Sequence, residues 1–155
     1  MDRYTIKTVT VDPDDDAYTA ADVVGGLQTL NCAISGNSAN GEGVIERLFI
    51  SDDDGEAAAL NIYLFDSVPA TIADDATFAL AAADQKKLIS VIAVAADDYT
   101  TLNNLEYAEK AALNIPFKAD GANNLYFYIE AVATPTYAEN KVLTFRFTIR
   151  IPGRP

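Results

Sequence analysis

The chain has 155 residues, 23 acidic side chains against 11 basic ones, a formal net charge of −12 and no histidine. Without an imidazole it can build neither a Ser-His-Asp nor a Cys-His catalytic device, and one cysteine with no histidine is a poor donor set for zinc. A lone cysteine excludes an intramolecular disulfide, and so negative a chain repels phosphate backbones, which argues against nucleic acid as a main partner.

The length suits one domain, able to bury roughly 70% of its unfolded surface without disulfide or metal. Half of the residues are hydrophobic, as in globular chains. The first residues contain no apolar stretch of the signal-peptide kind, so synthesis in a cytoplasm is expected, with a reduced thiol at Cys32. The most apolar run, residues 88–96, is far short of the roughly 20 residues of a membrane span. The charge is uneven. Residues 1–75 hold fifteen acids and three bases, residues 76–155 eight of each. Such asymmetry can orient a protein on a charged surface, or it can simply reflect solvated loops.

Residues 4–11, rich in Thr and Val, predict an N-terminal strand or arm. Asp12, Asp14, Asp15 and Asp16 around Pro13 read as a polar linker, dividing the chain into residues 1–16 and a single β-sandwich domain over 17–155. Gly25 and Gly26 allow a close turn before a weak strand over 27–34. Asn37, Asn40, Gly41 and Gly43 mark a loop, after which Leu48 and Ile50 alternate with Arg47 and Phe49. Asp54-Gly55 is a second turn, followed by Leu60, Ile62 and Leu64 alternating with Asn61, Tyr63 and Phe65. Pro69 and Asp74-Asp75 mark a third. Residues 75–88 hold good helix formers and predict one or two helical turns, capped by Asp74 or Asp75.

Residues 88–94 are rich in β-branched side chains and predict a strand buried on both faces or nearly so. Residues 112–117 form a short strand, with Pro116 suggesting an edge or bulge. Asp120-Gly121 reads as a tight hairpin turn that pairs it antiparallel with 125–131. There Leu125, Phe127 and Ile129 face one way and Tyr126, Tyr128 and Glu130 the other. The clearest signal is at the end. Leu143, Phe145, Phe147, Ile149 and Ile151 alternate with Thr144, Arg146, Thr148 and Arg150, a strand with an apolar and a cationic face. Seven to nine such strands with at most one short helix predict an all-β antiparallel β-sandwich of jelly-roll or Greek-key type, with a small closed barrel as the alternative.

No residue pattern points to a catalytic or cofactor site. Asp52, Asp53, Asp54 and Glu56 invite calcium but lack the spacing of an EF-hand loop, so a solvated turn is expected. Carboxylate pairs for glycoside hydrolysis have no specificity in so acidic a chain. Tyr126, Tyr128, Arg146 and Arg150 would make an aromatic and cationic interface patch if their strands are neighbours. The other reading is a solvated sheet face with cross-strand pairs. Arg154 continues the basic C-terminus.

Several phrases, in order and spacing, resemble the head decoration or capsid cement proteins of tailed bacteriophages. They are Tyr18-Thr19-Ala20-Ala21-Asp22-Val23-Val24-Gly25-Gly26, Gly43-Val44-Ile45 with Leu48, Ile50 and Asp52, Leu60-Asn61-Ile62-Tyr63-Leu64-Phe65-Asp66, and Thr134-Pro135-Thr136-Tyr137. The resemblance covers about residues 18–150, and the N-terminal segment lies outside it. It implies a non-enzymatic jelly-roll-like virion protein without cofactor, on the outer surface of the capsid. Its partners would be the major capsid protein and itself, as dimer or trimer, with neither nucleic acid nor membrane. A strand carrying Tyr4, Ile6 and Val9 could then add to another chain's sheet edge. A tail or fibre component and a carbohydrate-binding β-sandwich module are the alternatives, the absence of tryptophan counting against the latter.

Overall fold

The structure is a computed structural model that describes residues 1–33 and 41–151. Ile34, Asn37, Asn40 and Arg154, which figure in the expectations above, lie outside the described residues. The chain runs out and back like one long hairpin. β1 (Arg3–Val11) pairs with β10 (Leu143–Ile151), β2 (Gln28–Asn31) with β9 (Asn124–Ala131), and β3 (Glu42–Asp52) with β8 (Ile115–Lys118). β4 (Leu60–Phe65) pairs with β5 (Leu88–Val94), and every pairing is antiparallel. Rolling that hairpin up brings β10 beside β3 and β9 beside β4. The result is two sheets, β1-β10-β3-β7-β6 with β8 also on β3, and β2-β9-β4-β5. This is a jelly-roll sandwich.

The two inner faces meet in one core. From the larger sheet it takes Ile45, Leu48, Ile50, Leu143, Phe145, Phe147 and Ile149, and from the smaller Leu30, Leu60, Ile62, Leu64, Leu125, Phe127 and Ile129. Phe127 packs against Phe145 and Phe147 across the sandwich, at ring separations of 5.6 and 5.4 Å. Because side chains alternate along a strand, these contacts fix which residues face outward.

Three expectations need correction. The 112–117 strand does not form a hairpin with 125–131, because Asp120-Gly121 turns the chain from one sheet to the other. β5 is an edge strand with only Ile92 and Val94 buried, so it is half-buried. The expected helical turn is α1 (Ala82–Gln85), but neither Asp74 nor Asp75 caps it. The upstream residues are held in a turn and an isolated bridge by tertiary pairing instead, with Val23 N donating to Ala76 O, Asp75 N to Val23 O and Phe78 N to Ala21 O. A hairpin of β6 (Tyr99–Leu102) and β7 (Leu105–Lys110) was not expected. It turns through Asn103 and Asn104, both at positive φ, the conformation tight hairpin turns require.

β1 is paired along its whole length, Arg3 opposite Ile151 through to Val11 opposite Leu143, and Val11 is buried. Val9 packs against the core from the edge. Gly25 is needed where it stands, since a Cβ there would overlap the Val11 side chain. Residues 1–11 therefore behave as part of the sandwich. Their deletion is expected to cost about 3 kcal/mol or more, roughly 10 °C in Tm, and a thermal melt of the truncated chain matching the full chain would refute this.

The buried Asp22 accepts hydrogen bonds from Thr19 Oγ1 at 2.6 Å and Thr19 N at 2.7 Å, which hold its carboxyl below the usual range. A depressed carboxyl stabilises the fold above its unfolded pKa, and that contribution is lost as pH falls through the folded value. Asp22→Asn should therefore be less stable than the parent at neutral pH, with the gap closing below about pH 4. Urea titrations across that range check it.

Candidate protein-interaction face

The outer faces of the two sheets differ. That of the smaller sheet is covered by the chain's own residues. Ile72, Phe78 and Leu80 pack with Tyr63, Phe65, Tyr126 and Tyr128 into a second apolar cluster. Tyr128 is fully buried, its Oη donating to Ala70 O at 2.7 Å and accepting from Ile72 N at 2.8 Å. Tyr63 Oη donates to Glu130 Oε2 at 2.8 Å, and burial with that carboxylate pushes its hydroxyl up to about 12. Tyr126 Oη donates to Asp120 Oδ2 at 2.7 Å, which raises its pKa.

The outer face of the larger sheet has no such cover among the described residues. β1 presents Tyr4 and Ile6, 65% and 54% exposed. β10 presents Arg146, Thr148 and Arg150, and β3 presents Arg47 and Phe49 opposite them. Phe49 and Tyr107 of β7 stack at 5.5 Å and 18°, and the Arg146 guanidinium lies over the Phe49 ring, 6.0 Å from its centre. Such a pairing combines cation–π attraction with a flat contact surface.

The charges on this face largely neutralise one another. Arg47 Nε meets Glu109 Oε1 at 3.0 Å. Arg150 Nε meets Glu46 Oε1 at 2.5 Å and its Nη1 meets Asp2 Oδ2 at 3.3 Å. These carboxylates hold the Arg150 pKa above its ordinary value, Glu46 most of all. Arg146 makes no ion pair among the described residues. A surface hollow of about 880 Å³ lies between Tyr4, Ile6, Arg47, Thr148 and Ala112, and one of about 140 Å³ adjoins it at Phe49 and Arg146.

The expected meeting of Tyr126 and Tyr128 with Arg146 and Arg150 does not occur. β9 and β10 lie in opposite sheets with their outer faces turned apart, because the phenylalanines between them face inward. Tyr4, Ile6, Arg146 and Arg150 do share one face, and Val9 points into the core side of the same strand. The residues that complete the face are Arg47, Phe49 and Tyr107. Arg47 and Phe49 were assigned to one side of their strand by alternation, but their partner strand was not legible.

Asp52 and Asp74 serve the backbone around them. Asp52, buried, accepts from the backbone N–H of Asp54, Gly55 and Ala57 at 3.0 to 3.1 Å. Asp74 accepts from Gly25 N at 2.7 Å and Tyr18 Oη at 2.8 Å. Among the described residues no group of three or more acidic or cysteine side chains is placed to hold a metal ion. Cys32 is buried, and desolvation pushes its thiol up to about 11.

No family model matches the chain, and no curated protein matches it. Similar solved structures include the X-ray structure of tomato aspermy virus, 11% identical, covering 98% of this chain and 82% of that one, with a TM-score of 0.42. Two structures of turnip yellow mosaic virus also match. One is 10% identical over 99% of this chain and 95% of that one, TM-score 0.31. The other, at 100 K, is 11% identical over 97% and 93%, TM-score 0.30. Scores this low carry no argument, and the fold assignment stands on the strand pairing above.

Tyr128 thus anchors the cover of the smaller sheet. Tyr128→Phe removes both hydrogen bonds and leaves Ala70 O and Ile72 N without that partner, at an expected cost of about 1–2 kcal/mol. Denaturant unfolding measures it, and a change within error would remove the anchoring role.

Proposed function

We propose that the protein is a structural component of a virion that binds the outer surface of a capsid and bridges neighbouring major capsid protein subunits. The observation that carries the reading is the contrast between the two sheet faces. One is sealed by the chain itself, while the other leaves Tyr4, Ile6, Phe49, Tyr107 and Arg146 open to a partner. Tyrosine, phenylalanine and arginine are the residue types that carry most contact energy at protein interfaces. The kind of partner follows from the resemblance of residues 18–150 to bacteriophage head decoration proteins.

Cementing a shell requires contact area and repetition. A contact too weak to persist alone holds when many copies sit on one lattice, provided each touches two subunits. Acidic loops at residues 12–16 and 52–56 would keep decorated particles soluble and mutually repelling.

Recombinant protein is expected to bind expanded, undecorated heads and to raise their melting temperature. Absence of binding at micromolar concentration would overturn the reading. Within it, the two arginines part company. Arg146 has no ion-pair partner among the described residues, so Arg146→Glu should weaken head binding tenfold or more while leaving the protein's own Tm unchanged. Arg150→Glu sets a carboxylate against Glu46 and Asp2, so it should lower the protein's own Tm as well.

A further inference from the structure

We propose that the open face takes an extended acidic segment of its partner, with one carboxylate on Arg146 and an apolar side chain two residues away in the hollow beside Ile6. This rests on the reading of that face as a contact surface and names the chemistry it contacts. Arg146 is exposed and lies between Thr8 of β1 and Phe49 of β3. Its guanidinium sits over the Phe49 ring, which in turn stacks on Tyr107. The other arginines of the face are committed, Arg47 to Glu109 and Arg150 to Glu46 and Asp2. Arg146 meets no carboxylate among the described residues. A guanidinium over an aromatic ring is partly desolvated yet keeps a planar fork of N–H donors, which a carboxylate matches with two parallel hydrogen bonds.

Charge decides between occupants. A basic segment would set like charge against Arg146. A polyanion such as nucleic acid or an anionic membrane would meet the chain's net −12 around a single uncommitted cation of this face. One carboxylate among apolar groups satisfies both limits. The shape of the face sets the spacing. The hollows of about 880 and 140 Å³ share Ile6, Arg47 and Thr148 in their linings, so they form one trough. Its narrow end lies at Phe49 and Arg146, and its wide end opens on Tyr4 and Ala112. Arg146 and Thr148 are two apart on β10, roughly 7 Å along the strand. An extended partner repeats its side chains on one side at the same interval. A carboxylate on Arg146 therefore places the next side chain on that side over Thr148 and its neighbour Ile6, which is 54% exposed. An apolar group there would cover Ile6 and Tyr4 from water.

Capped pentapeptides test this on the full chain. Thr-Glu-Thr-Leu-Thr and Thr-Leu-Thr-Glu-Thr cover both chain directions, and NMR titration reads their binding. At least one should shift the amides of Ile6, Phe49, Arg146 and Thr148. Replacing its Glu by Gln should weaken binding about fivefold, and Arg146→Gln in the protein should do the same. The two changes together should cost no more than either alone, because each removes the same pair. Added salt should weaken the Glu peptide and spare the Gln peptide. The peptide-side exchange remains decisive even if Arg146→Gln disturbs the fold. No shift at millimolar peptide, equal binding of the Glu and Gln peptides, or shifts away from this face overturns the proposal. So does glucuronic acid binding there as tightly as the peptide, which would make the site one for acidic sugars. Heads that bind the protein while the peptides do not would leave the proposed function standing without this site. Peptides that bind here while heads do not would keep the site and remove the capsid.

Discussion

Phe127 on β9 meets Phe145 and Phe147 on β10 in the middle of the sandwich, and the outward-facing chemistry is phased by that contact. A strand has two faces and a period of two, so a slip of one residue would exchange them. With the three phenylalanines inside, Arg146, Thr148 and Arg150 must point out from one sheet, and Tyr126 and Tyr128 from the other. The register of β10 with β3 then sets Arg146 opposite Phe49, and that of β10 with β1 sets Thr148 opposite Ile6. The open face is thus a consequence of core packing. A core substitution that shifted β10 would scramble the face without touching it.

Several of the aspartates are occupied with the backbone. Asp52, Asp74, Asp84, Asp98 and Asp120 each accept at least one backbone N–H in a turn or loop. Short carboxylates do this well because they reach amides that a turn leaves unpaired. Where the carboxylate is also paired with a cation, as Asp84 with Lys87 and Asp98 with Lys110, its pKa falls. Asp52 has no such cation and is buried, and desolvation raises its pKa. The cluster that resembled a calcium loop is therefore occupied, Asp52 with its own turn and Asp54 and Glu56 with the amides of Ala138 and Thr136.

Strands with a strict inside and outside were legible because burial imposes the alternation. β4, β9 and β10 match their sequence spans, and β1 does within a residue. β6 and β7 were missed because they extend the larger sheet past the core. Only Ala108 of the hairpin is buried, and Glu106, Glu109 and Lys110 are compatible with any exposed segment. The helical turn falls within 75–88, but its cap was not legible because propensity could not register the bonds with Val23 and Ala21 that hold residues 75–78 in a turn and bridge outside it. The tyrosine-arginine patch failed for a related reason. Alternation assigns a face, but only the pairing of strands distant in sequence assigns a neighbour, and Tyr126 lies beside Thr29 and Phe65 while Arg146 lies beside Thr8 and Phe49.

The larger sheet has edge strands at β1, at β6 and at β8, which pairs with β3 alone among the described residues, and β1 and β6 are built differently. β6 has four residues and is flanked by Asp98 and Glu106, short and charged as a protected edge should be. β1 has nine residues, is regular throughout, and carries Tyr4 and Ile6 on the same side as Phe49 and Arg146. Its pairing with β10 through nine residues sets Tyr4 and Ile6 in line with Arg146 and Thr148, so the strand that closes the sheet also aligns side chains that would meet a partner.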